Sequence, residues 1–231
     1  MRFWLLAVFL AVGLAAQTAP EVEIGAEPHH HLALENGYVR VFKVEIPPGQ
    51  ATLLHRQRHD YVYVNLGAAQ ISNQVEGKPP VTTKLQDGQT VFADGGMAHV
   101  VRDLAATPFR DVTVEFMQDE KARKSPPAKW DEERGLQILE GGTKDIMFVK
   151  DGVRVSEVDL PPGGMIPRHH HAGPHLVIAV TDLDLQSDVV GKGVSKVILN
   201  AGDITWAAGG FTHTLMNVSR EPAKFITLEF H

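Results

Sequence analysis

The chain has 231 residues, a formal net charge of -6 and no cysteine, and its 22 basic and 28 acidic side chains are mixed along its length. That balance excludes a nucleic-acid surface built from Lys and Arg. The missing cysteines exclude both a disulfide framework and a thiolate metal site, so any metal must be held by nitrogen and oxygen, which directs attention to the twelve histidines.

The chain starts with Met1-Arg2, continues as an apolar run from Phe3 to Leu14 and then reaches the small residues Ala15, Ala16 and Ala19. Charge, then apolar run, then small residues is the order of a secretory signal peptide. Residues 1–19 therefore read as a signal, and the mature protein as secreted or periplasmic with no membrane attachment once the signal is removed. The run is too short to span a bilayer, which takes about twenty apolar residues; a buried N-terminal helix is the alternative.

From residue 20 onward the dominant pattern is a repeat at a constant offset of 114. Val39-Arg40-Val41 returns as Val153-Arg154-Val155, Pro47-Pro48-Gly49 as Pro161-Pro162-Gly163, Gly95-Gly96 as Gly209-Gly210, and Thr113 to Phe116 as Thr227 to Phe230. No gap is needed, so the chain divides into a domain over 20–117, a linker over 118–137 and a second domain over 138–231. The linker, Gln118 to Gln137, is rich in Lys, Glu and Asp with Pro126-Pro127, and a short helix is expected around Trp130 to Arg134.

Between turn signals both copies show short alternating runs, such as Val39-Val41 with Val44-Ile46, Val112-Val114-Phe116 and Val153-Val155 with Val158-Leu160. Many short strands punctuated by Gly and Pro indicate an all-β sandwich or barrel.

The histidines follow the repeat unevenly. Copy two carries His169, His171, His175 and His213 where copy one has His55, Gln57, Tyr61 and His99. Residues two apart on a strand share a face, so His169 and His171 aim together while His170 points away. Neutral imidazoles suit one divalent transition metal, Fe, Mn, Ni, Cu or Zn. Copy one offers less, because an amide is a weak ligand and a phenol is seldom ionised. His59 shares the odd parity, so His55, His59 and His99 form a second, weaker candidate set; a hydrogen-bonded plug or a small ligand pocket is the alternative.

Three features lie outside these sets. His29-His30-His31 alternates faces and reads as a solvated or hydrogen-bonding strand. Glu115 and Glu229, at matching places in the last strand of each copy, read first as outward-facing carboxylates and second as groups orienting a ligand histidine. Lys78 and Lys192, each after a glycine, read as exposed turn residues.

Gly163, His169-His170-His171 and His175 resemble the first cupin motif, and Gly202, Ala208-Gly209-Gly210, His213 and Asn217 the second, with Ala208 where proline is usual. Gly49, His55, Gly88, Gly96, His99 and Asp103 match in the same register. The resemblance, over roughly residues 27–231, is to a bicupin. It implies two tandem double-stranded β-helix (jelly-roll) barrels with a metal inside the barrel mouth. His175 stands where glutamate is usual, and Gln57 and Tyr61 replace two usual ligands. The expected activity is that of a metal-dependent, dioxygenase-type oxidoreductase on a small oxygen-rich or aromatic substrate. The alternative is a noncatalytic protein that binds a small molecule or a metal. Partners are thus a small molecule and no nucleic acid, with a homo-oligomer left open.

The signal reading has a direct check: N-terminal sequencing of the exported protein should find a start between about Ala16 and Pro20. Met1 retained on the soluble chain would reject it.

Overall fold

The computed structural model describes residues 20–117, 135–150 and 152–230. The signal segment and the helix expected around Trp130 to Arg134 lie outside the described residues. Copy one forms β1 (Val22–Glu23), β2 (His30–Glu35), β3 (Val39–Ile46), β4 (His55–Gln57), β5 (Tyr61–Asn65), β6 (Ala69–Val75), β7 (Val81–Leu85), β8 (Thr90–Ala93), β9 (Met97–Asp103) and β10 (Phe109–Phe116). Copy two repeats the series as β11 (Gly135–Ile138), β12 (Thr143–Lys150), β13 (Val153–Leu160), β14 (Met165–His171), β15 (His175–Ala179), β16 (Leu183–Val189), β17 (Gly193–Leu199), β18 (Ile204–Ala207), β19 (Phe211–Asn217) and β20 (Ala223–Phe230). Strand β11, at the end of the stretch read as linker, pairs antiparallel with β12 and so belongs to the second unit's sheet.

Each copy is a pair of sheets. In copy one they run β1-β4-β9-β6-β7 and β2-β3-β10-β5-β8; in copy two, β14-β19-β16-β17 and β11-β12-β13-β20-β15-β18. This is the all-β, twin jelly-roll architecture the sequence led us to expect. Among the described residues no helix is long and apolar enough to cross a membrane.

The central strands explain why a polar interior is compatible with a stable fold. On β10 the odd and even positions face opposite ways. Val112, Val114 and Phe116 join Val39, Val41 and Val62 in a cluster that continues into copy two through Val155, Leu176, Ile226 and Leu228. The β2-β3-β10-β5-β8 sheet of barrel one and the six-stranded sheet of barrel two therefore bury their outer faces against each other. Each such fully buried Val or Leu contributes about 1.5–3 kcal/mol relative to exposure. The alternate residues of β10, Asp111, Thr113 and Glu115, are then turned into barrel one and are all buried. Each barrel also keeps an apolar floor of its own, Phe42, Ile46, Ile71 and Phe109 in the first and Val158, Leu185, Leu215 and Phe225 in the second.

This arrangement corrects the outward reading of the two matching glutamates. Glu115 is fully buried and accepts from Arg40 Nη2 at 2.6 Å, and Glu229 is turned toward the histidines of copy two. Alternation correctly separated the faces, but the apolar face serves the contact between barrels and the polar one lines the interior.

Asp111 gives this burial a measurable consequence. Desolvation raises its carboxyl to about 6 from the usual 3.8, against a hydrogen bond donated by Thr113 Oγ1 at 2.7 Å. A carboxyl whose folded pKa is raised costs stability progressively as pH rises from 3.8 through about 6. Asp111→Asn should therefore raise stability at pH 7 by about 1–3 kcal/mol and leave it unchanged below about pH 4. Denaturant titrations of both proteins across that range check the sign.

Candidate metal centre

The second barrel assembles its histidines by register. His169 on β14 pairs directly with His213 on β19, and His171 follows two residues later on the same face of β14. Gly209 makes the approach of β19 possible: its φ is +79°, and a Cβ there would stand 2.1 Å from the carbonyl oxygen of Gly173 in the β14–β15 turn. A side chain at this position would meet both strain and a backbone clash.

Three Nε2 atoms converge. His169 and His171 are 2.9 Å apart, His169 and His213 3.0 Å, and His171 and His213 3.2 Å. Every Nδ1 on the far side of these rings is engaged, His169 with the Pro167 carbonyl at 2.8 Å, His213 with Ser187 Oγ at 2.8 Å, and His171 with Glu229 Oε1 at 3.1 Å. With Nδ1–H donating to the carbonyl and the carboxylate, the Nε2 lone pairs of His169 and His171 are directed at one point and repel unless a cation lies between them. Nitrogens about 2.1 Å from one ion at right angles stand about 3.0 Å apart, so the triad fits three adjacent positions on a divalent transition metal.

The protonation states agree. Burial, followed by the neighbouring imidazoles, depresses His213 to about 3; burial also lowers His169, and holds His175 near 4. These rings are neutral at pH 7, with lone pairs available. Glu229 goes the other way: despite burial, its contacts with His171, Lys144 and Arg154 hold it far below the usual carboxylate range.

His175 stands beside the triad and not within it. It lies on β15 in the opposite sheet, paired with Glu229 and Ala207, and stacks on His171 with centroids 4.1 Å apart at 20°. Its Nδ1 is buried without a hydrogen-bond partner. Among the described residues, His169, His171 and His213 form the single metal-capable cluster of three.

In the first barrel the same frame holds fewer ligands. His55 and His99 face each other across β4 and β9 with ring centroids 4.5 Å apart, as His169 and His213 do. Their Nδ1 atoms bind Leu53 O and Asn73 Oδ1, leaving His55 Nε2, His99 Nε2 and Gln57 Oε1 buried and unpartnered. His59 does not join them. It occupies the β4–β5 turn, where its backbone would lie 2.4 Å from a Cβ on Gly95. The imidazole that approaches is His30, 4.7 Å from His55 and held by Glu27 Oε2 at 2.6 Å. The sequence reading missed that role; the alternation it noted in His29-His30-His31 turns the middle ring inward, and Glu27 three residues earlier was the available signal.

The two interiors differ in size. Barrel two encloses about 290 Å³, whereas barrel one keeps about 40 Å³. Part of the reason is the entrance. β1 pairs in parallel with β4 and leads into Ile24, Glu27 and His30, all buried, while β11 pairs with β12 instead and leaves β14 at a sheet edge.

No protein-family model and no curated protein matches the sequence. Solved structures do. Bacillus subtilis oxalate decarboxylase, described with Mn(II) centres, superposes with a TM-score of 0.60 at 14% identity, over 87% of this chain and 76% of that one. AerE from Microcystis aeruginosa gives 0.60 at 13% identity over 89% and 98% of the two chains. The formate complex of Lactobacillus farciminis oxalate decarboxylase gives 0.58 at 14% over 86% and 83%. At these identities the similarity establishes fold and leaves activity to the site.

Metal content should follow the triad. His171→Ala should strip most of the bound metal from the purified chain, and Gln57→Ala should leave the total nearly unchanged. Glu229→Gln should weaken metal affinity about 10- to 100-fold by loosening His171. Elemental analysis of the three variants, with dialysis against graded chelator, checks the order.

Proposed function

From the bicupin fold as premise, we propose that the C-terminal barrel is the working site of an exported, metal-dependent oxidoreductase of dioxygenase type, acting on a small oxygen-rich or aromatic substrate. The observation that carries this reading is the convergence of three Nε2 atoms, each ring anchored through its other nitrogen, in the wall of a 290 Å³ cavity. A site meant only to tie the fold together has no need of such a space beside it.

His169, His171 and His213 would hold the ion, with Ser187, Pro167 and Glu229 setting ring orientation. When bound, the ion supplies Lewis-acid polarisation of a substrate oxygen and access to O2 chemistry. Three neutral ligands leave its full charge to attract an enolate or carboxylate. The protein's own part is positional. Phe211, with ring centroids 5.2 Å from His171 and 5.7 Å from His175, and the apolar wall behind it exclude water from the reacting face. Glu229 is held ionised and committed to His171, so it is poorly placed to donate a proton, which disfavours hydrolysis. In a dioxygenation the substrate is the reductant and both atoms of O2 enter the product.

The test is O2 uptake with 18O2 by the full chain loaded in turn with Fe(II), Mn(II), Cu(II) and Ni(II), over a panel of enolic and catecholic compounds. Uptake with both labelled atoms in the product is expected. Compounds that perturb the metal spectrum without turnover would favour the noncatalytic binding protein. Absence of both effects would reject the enzyme.

A further inference from the structure

The walls of the barrel-two cavity are mainly aliphatic and aromatic, with Val158, Leu185, Val197, Phe211 and Phe225 among them. Its charged lining residues are Lys144, Lys192 and Glu229. Lys192 is an exposed turn residue at the rim, but Lys144, on β12, has a side chain only 17% exposed. Its position points inward in both copies: the matching residue of barrel one is His30, whose ring enters that barrel and lies against His55.

The Lys144 ammonium is underused. It carries three N–H donors, and its one described contact is Glu229 Oε2 at 3.5 Å, the outer limit of a hydrogen bond. That oxygen is also 3.5 Å from Arg154 Nη1, and Glu229 Oε1 serves His171. Glu229 thus divides its two oxygens among His171, Arg154 and Lys144. A partly desolvated cation with spare donors is a receptor for an anion.

We propose that the substrate is a largely apolar, aromatic molecule bearing a carboxylate, and that Lys144 is the specificity-determining residue that receives the carboxylate. The inference rests on the reading of barrel two as the working site. A polyol or sugar would find Ser195, Thr205 and Thr227 as hydroxyl partners but would set most of its hydroxyls against apolar wall. An aromatic ring gains from those walls, and its carboxylate meets the one half-buried ammonium of the lining.

The probes are 2,3-dihydroxybenzoate and 2,3-dihydroxybenzamide, which match in shape and in chelating hydroxyls and differ in charge. Calorimetric titration of the Mn(II)-loaded full chain should show the benzoate binding about 10- to 100-fold tighter. Lys144→Gln should abolish that preference by weakening the benzoate alone, and Lys144→Arg should restore it. Equal binding of the two probes by the wild-type chain, a preference that survives in Lys144→Gln, or no binding of either probe would each overturn the proposal. The same titrations on metal-stripped protein separate the two readings. A chain that holds no metal but keeps a Lys144-dependent preference defeats the metal-enzyme reading alone; a metal-loaded chain indifferent to charge defeats the carboxylate inference alone.

Discussion

The contact between the two barrels sets the terms for everything inside them. Val112, Val114, Ile226 and Leu228 are completely buried where the sheets containing β10 and β20 meet, and they occupy every second place on those strands. Once the apolar residues of a strand are committed to one face, the other residues must face the barrel interior. That interior is consequently free to be polar without loss of the hydrophobic burial that holds the fold. Asp111, Thr113 and Glu115 in one barrel and Thr227 and Glu229 in the other occupy the places so created. A solitary barrel with solvent on its outer face would need those same positions for its core.

Given two interiors of equal frame, the substitutions between them determine their chemistry. Exchanging His171 for Gln57 removes the imidazole that completes a triad, and exchanging Lys144 for His30 replaces a flexible cation with a ring that fills space beside His55. Phe225 in barrel two becomes Asp111 in barrel one, placing one buried carboxyl beside an otherwise apolar floor. The parallel pairing of β1 with β4 then brings Glu27 over the entrance, where it accepts from the backbone of His29 and Leu53 as well as from the His30 ring. Of these changes, the His30 ring beside His55 and the Glu27 segment over the entrance are the ones that fill or seal barrel one.

Much of this was legible in the sequence because a gapless repeat transmits register. The offset that aligns His55 with His169 also aligns nearly every strand of one copy with its counterpart, so the pairing of His169 with His213 and of His55 with His99 follows from a single alignment. Parity then identified His169 and His171 as sharing a face. Parity is blind to distance across a barrel, however. It does not say that His175 reaches the same cavity from the opposite sheet, or that His59 lies in a turn. It also could not say which face of β20 was inside, because that depends on a partner surface more than a hundred residues away in the chain.

Glu229 shows how the two levels join. It reaches His171 from β20, the strand whose other face builds the contact between barrels, so the orientation of a candidate metal ligand depends on packing at that contact. His171 in turn is clamped between that carboxylate and the stacked ring of His175. A change at Leu228 or Ile226 that shifted β20 along its axis would move Glu229 with it and turn the His171 ring before disturbing His169 or His213, which are anchored to Pro167 and Ser187 on the other sheet. The site is thus split between a pair anchored on one sheet and a third imidazole governed from across the barrel, and it is through that third ring that packing against barrel one can influence the triad.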